Sequence, residues 1–161
     1  MSGNSKKARF LASLPLASVD SPEDTLAARC KFNFSYFTQQ EAGQDFADCE
    51  QQQLAKLLDQ LKDYSKEPLA YWKNMAVGKS GSVLAIYGAF PGKSSFTHPK
   101  HVPHQALWGR FRLDHTARLI GFVLPAGCHD QISAQGVRFD CNTFYVVFLD
   151  QQHCFYQNEA K

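Results

Sequence analysis

The residues best suited to chemistry lie in the C-terminal third of the chain. In Leu107-Trp108-Gly109-Arg110-Phe111-Arg112-Leu113, the two-residue period of an extended backbone puts Trp108, Arg110 and Arg112 on one face and Leu107, Phe111 and Leu113 on the other. Arg118 opens the next strand-like run and is expected to join the same cationic group. From His98 to Arg118, Lys100 and the three arginines stand against Asp114 alone, a local charge of +3 in a chain whose total is +2. Guanidinium groups suit bidentate contacts to phosphate oxygens. Near the end of the chain, His153 is a side chain that can move protons near neutral pH, and Tyr156 adds a phenol. Taken singly, each feature is also what an ordinary solvent-facing sheet surface carries.

His98, His101 and His104 recur every third residue among Pro99 and Pro103, a spacing that an extended polyproline-like chain would align on one side. With no CxxC or HExxH to complete a ligand set, no metal is expected there. The alternative is that His101 and His104, with Lys100, rim a polyanion site. The chain has no GxGxxG, P-loop or GxSxG pattern, so no cofactor is expected and nucleotide-fold enzymes and α/β-hydrolases have no support. Five cysteines, an odd number without a CxxC pair, read as reduced thiols in a cytoplasmic protein. The basic and apolar start is too short for a secretion signal and is interrupted by Pro15; no run reaches the roughly 18 apolar residues of a membrane span.

These residues need a frame. Residues 1–28 show no sustained periodicity and read as a flexible N-terminal arm, leaving 29–161 as one domain. Phe32, Phe34 and Tyr36 alternate with polar residues, predicting a strand. Between Gln40 and Tyr64 the apolar positions Phe46, Leu54, Leu57, Leu58 and Leu61 change to helical spacing, and Pro68 can open a further short turn with Leu69, Tyr71 and Trp72. Residues 74–106 form an expanded, glycine- and proline-rich segment around Val83 to Tyr87, an extra strand candidate. Three strands follow, over 107–113, 118–124 and 143–149, with Phe155-Tyr156 as an extension. The expectation is an α+β fold: an N-terminal strand, a helical hairpin, then a three-stranded antiparallel meander in one sheet with the helices on one face. Phe32, Phe34, Leu54, Leu57, Leu58, Leu61, Phe111 and Leu113 should supply most of the core.

This order of elements, with Trp108-Gly109-Arg110-Phe111-Arg112, Arg118-Leu119-Ile120-Gly121-Phe122 and the closing His153-Cys154-Phe155-Tyr156, resembles the RelE/ParE-like toxin superfamily over roughly residues 30 to 156, its RNA-cleaving branch above all. The resemblance implies that Arg118 contacts the scissile phosphate, that His153 and Tyr156 form the terminal acid/base pair, and that Arg112 assists them. It implies that Arg110 and the basic loop of Lys100, His101 and His104 bind substrate, with Trp108 or Tyr156 stacking on an unpaired base. The implied activity is metal-independent endoribonuclease cleavage of mRNA, free or on the ribosome, neutralised by a small antitoxin protein. The alternatives are a non-catalytic form binding a protein target, as gyrase-directed members do, and a nucleic-acid-binding module. His153 and Tyr156, three residues apart, fall on opposite faces of a regular strand, so a bulge or bend is needed to bring both into one cleft; either catalysis uses only one of them, or the strand ends before Tyr156.

Overall fold

The computed structural model describes residues 3–157. Its centre is a five-stranded mixed sheet in the order β1-β7-β6-β5-β4, built from Lys31–Asn33 (β1), Leu84–Gly88 (β4), Leu107–Arg112 (β5), Arg118–Val123 (β6) and Thr143–Asp150 (β7). A two-stranded ribbon, Ala76–Val77 (β2) with Gly81–Ser82 (β3), precedes β4. The fold is α+β, but the expected three-stranded meander is one strand short. Val83 to Tyr87 does supply a strand, which pairs antiparallel with β5, so the meander runs from β4 to β7. The N-terminal strand joins as a parallel partner of β7, with Phe32 beside Phe144. It is also shorter than its sequence pattern, because the chain turns away after Asn33.

One face of the sheet is covered by Gln51–Tyr64 (α2) and Leu69–Asn74 (α3), the latter opening after Pro68 as expected. Leu57 and Leu61 of α2 enter a core with Phe111, Leu113, Leu119, Phe144 and Leu149, against which Phe32 and Tyr64 also pack. Leu58 does not: it is 64% exposed. At about 100° per residue, it falls to one side of the stripe of Leu57, Leu61 and Tyr64. Phe34 is likewise exposed rather than core. The end of α2 is fastened to β5 by the Tyr64 hydroxyl donating to the Arg112 carbonyl and the Gln60 amide donating to that of Leu113. The arm contains a helix, Gly3–Ser13 (α1), none of whose residues is buried.

The opposite face carries a second core. Trp108, Ile120, Phe122 and Phe148 project there and are covered by Phe96, Val102 and Ala106 from the glycine- and proline-rich segment and by Phe155 from the tail. An irregularity in the β6–β7 ladder, where Ile120 faces Phe148 but Gly121 faces Val146, inserts an extra residue into β7. Here the strands approach so closely that a Cβ on Gly121 would lie 2.1 Å from the Tyr145 carbonyl oxygen. The cover stops short of the end of the sheet where β5 finishes and β6 begins, and the basic residues occupy that end.

Candidate functional site

The antiparallel register sets the site. Arg112 lies opposite Arg118 across β5 and β6, Arg110 lies opposite Ile120, and Arg118 lies opposite Asp150 on β7. All belong to the face of the second core, as the alternation within 107–113 requires. Arg110 and Arg118 line a polar cleft of about 200 Å³ together with Tyr87, Asp150, His153 and Tyr156.

Every polar partner found for the three guanidinium groups is uncharged. Arg110 donates from Nε to the Tyr87 hydroxyl at 3.2 Å and from Nη1 to the Ser82 carbonyl at 2.8 Å. Arg112 Nε donates to the Asp114 carbonyl at 3.3 Å. Arg118 donates from Nη1 to the carbonyls of Asp114 and Ala117, both at 2.8 Å, and from Nη2 to that of His115 at 3.3 Å. Among the described residues none of the three is ion-paired. The two carboxylates nearest in sequence and register are engaged elsewhere. Asp114 binds the N–H groups of Thr116 and Ala117 within its own hairpin and lies 3.7 Å from Lys56. Asp150 accepts from the backbone N–H groups of Gln152, Cys154 and Phe155. Burial, then repulsion from Arg110 and Arg112, pulls the Arg118 guanidinium below its ordinary pKa. Asp150 lines the same cleft and Asp114 acts on Arg118 from its hairpin, but among the described residues neither is ion-paired to a guanidinium, and the three cations outnumber the two carboxylates, which favours an anion there in electrostatic terms.

The acid/base groups reach this cluster because β7 ends at Asp150 and the chain turns. The carboxylate of Asp150 gathers three turn amides, those of Gln152, Cys154 and Phe155, and His153 between them adopts a left-handed conformation with φ 56°. The strand therefore ends before Tyr156, and His153 and Tyr156 come to line one cleft. His153 Nε2 lies 3.1 Å from the His115 carbonyl. Since a carbonyl can only accept, Nε2 carries the hydrogen, and in the neutral ring Nδ1 holds the lone pair that can take a proton.

No family model, curated protein or solved structure matches the chain. What the cleft does must be argued from its own atoms.

Of the residues singled out in the sequence, Arg110, Arg118, His153 and Tyr156 share the cleft. Arg112 faces Arg118 across the strands and adds to the local field without lining the cleft. Arg118 is 7% exposed and braces the 114–117 hairpin, in place of the surface position expected for it. Trp108 is not available for stacking on a base: it is 1% exposed, enclosed by Phe90, Phe148 and Phe155. Alternation gave its face correctly but not the cover over that face. Lys100, His101 and His104 are exposed on the covering segment, outside the cleft. His101 stacks on Tyr36, which packs on Phe122, four residues along β6 from Arg118 and so about 13 Å away along the strand. These three residues therefore do not complete the arginine site. Among the described residues no group of three or more His, Cys, Asp or Glu side chains could hold a metal ion. Tyr87 and Asp150 are the residues that sequence reasoning missed. Tyr87 ends a run of apolar residues inside an otherwise irregular segment, whereas an aspartate closing a strand before polar residues was a readable turn signal.

Proposed function

We propose that this protein is a toxin-type endoribonuclease that cleaves mRNA, with the arginine cleft as its active site. The observation that carries this reading is a polar cleft in which two guanidinium groups without an ion pair among the described residues, those of Arg110 and Arg118, meet an imidazole and two phenols beside the Asp150 carboxylate, with Arg112 adjacent across the strands. RNA supplies its own nucleophile, the 2′-hydroxyl, so the protein must provide a base, an acid and cations for the crowded phosphate. In this mechanism His153 Nδ1 takes the 2′-hydroxyl proton while Arg110 and Arg118 hold the non-bridging oxygens. The Tyr156 phenol gives its proton to the departing 5′-oxygen, and Arg112 deepens the positive potential. None of these steps requires a metal ion. A small antitoxin protein as partner and a cytoplasmic location belong to the same reading, consistent with the finding that no described helix is long and apolar enough to cross a membrane.

The test is induced expression with growth and mRNA integrity followed together. Wild type should arrest growth and cut mRNA, with cutting by purified protein unaffected by EDTA. His153→Ala, an exposed change, should slow cutting roughly 10²- to 10⁴-fold. Arg110→Ala should slow it by on the order of a hundredfold. Circular dichroism serves as the folding control. A second reading, a nucleic-acid-binding module without catalysis, draws support from Arg118, whose two terminal nitrogens already donate to hairpin carbonyls. RNA binding without cutting would select it. Growth arrest without RNA binding would point instead to a protein target.

A further inference from the structure

An aromatic ladder rises beside the cleft. Tyr87 and Tyr156 stack nearly parallel, with centroids 4.5 Å apart and planes at 13°. Tyr87 also lies over Phe155 at 6.5 Å and 28°, and Phe155 is anchored in the second core. Tyr87 is thus the middle ring and Tyr156 the outer one, 48% exposed. Among the described residues Tyr156 has no ring contact other than Tyr87. The Tyr87 hydroxyl accepts a hydrogen bond from Arg110, so the ladder and a cation of the cleft are joined directly.

We propose that the Tyr87–Tyr156 stack is a nucleobase platform, so that the cleft takes an unpaired nucleotide of single-stranded RNA with its base on Tyr156 and its phosphate at Arg110. This rests on the phosphate reading of the cleft and adds the form of nucleic acid that fits it. Bases have two π-faces, and stacking on an exposed aromatic ring is tolerant of sequence. A base inside a duplex is already stacked on both sides and cannot reach the ring without unstacking. A free phosphate would use the arginines and leave the ladder idle; the exposed outer ring beside those arginines favours a ligand carrying both a ring and a phosphate. The Arg110–Tyr87 hydrogen bond also separates two contributions. Tyr87→Phe keeps the stack but removes the hydrogen bond to Arg110 Nε, leaving Nη1 on the Ser82 carbonyl, whereas Tyr156→Ala removes the outer ring and leaves the arginines alone.

The experiment uses the full chain and a short 2′-O-methyl RNA, resistant to cutting, that carries 2-aminopurine. Anisotropy of an end label reports binding, and quenching of the 2-aminopurine reports stacking. Wild type should bind the single strand and quench it, and should bind the matching duplex at least about tenfold more weakly without quenching it. Tyr156→Ala should abolish quenching and weaken binding by about tenfold or more. Tyr156→Phe should restore both, yet remain defective in cutting unmodified RNA, which separates the platform from the phenol's acid role. Binding with no quenching in wild type, or quenching unchanged in Tyr156→Ala, overturns the platform and leaves the cleft reading standing. Equal affinity for duplex overturns it too. Failure of wild type to bind the single strand refutes the cleft reading itself, and the platform with it.

Discussion

The turn that carries His153 and Tyr156 hangs on one carboxylate, and Asp150→Asn tests it. Asp150 is 1% exposed; Oδ1 accepts from Gln152 N at 3.2 Å and Cys154 N at 3.0 Å, and Oδ2 from Phe155 N at 2.9 Å. An amide in the same place keeps one acceptor oxygen and turns an NH₂ group toward a backbone N–H. At least one charge-assisted hydrogen bond is lost, about 1.5 to 3 kcal/mol, and a buried N–H is left unpaired, about 1 to 3 kcal/mol more. The turn can escape part of this by undocking, but then Phe155, 1% exposed, leaves the second core. That loss resembles a buried Phe→Ala change of about 3 to 5 kcal/mol. Both routes lead to destabilisation of about 3 to 5 kcal/mol. With a urea dependence of about 1 to 3 kcal/mol per molar, the unfolding midpoint should fall by about 1 M or more. Hydrogen exchange gives the local check, since the amides of Cys154 and Phe155 should be protected in wild type and freely exchanging in the variant. A midpoint unchanged within error, or a Phe155 amide unprotected in wild type, would refute the argument that Asp150 holds the turn.

Two further outcomes are expected. Leu57→Ala should cost about 2 to 5 kcal/mol, whereas Leu58→Ala, one residue on but exposed, should stay within about 0.5 kcal/mol in the same urea titration. Burial raises the Cys30 thiol from 9.0 to about 11. A group raised on folding contributes stability that is complete below its unfolded pKa and lost as pH rises through the folded one. Stability should therefore decline between about pH 9 and 11 in wild type and decline less in Cys30→Ala, as measured by thermal unfolding across that range.

Elements governed by a single local period were the legible ones. The face of α2 followed from the spacing of Leu57 and Leu61, and the split of 107–113 into an arginine face and a Phe111 face followed from alternation. Leu58 failed because the contact stripe on α2 is narrow, and spacing alone does not say how far round a helix its cover extends. Trp108 failed for the converse reason: its cover comes from Phe90 in an irregular segment and from Phe155 beyond the last strand, neither of which carries a period. The cleft was half legible. Its cations were visible as a run of charge, and the meeting of His153 with Tyr156 was foreseen on condition that the strand ended early. Tyr87 was not visible, since its role depends on β4 pairing with β5 and bringing the ring beside Arg110.

The parallel pairing of β1 with β7 bears on how the protein is made. Lys31 meets Thr143, so β1, made before the other strands of this sheet, waits for β7 before it has a neighbour. The β4–β7 ladders join consecutive strands and can form as soon as each strand appears, whereas closing the sheet at β1 joins distant parts of the chain and is the slow kind of contact. During synthesis Phe32 has neither Phe144 nor a settled Phe111 to pack on. The tail that carries His153 and Tyr156 follows β7, so a nascent chain lacks the cleft until β7 and that tail have been made. The order of translation thus keeps this site unassembled until the segment after β7 has left the ribosome.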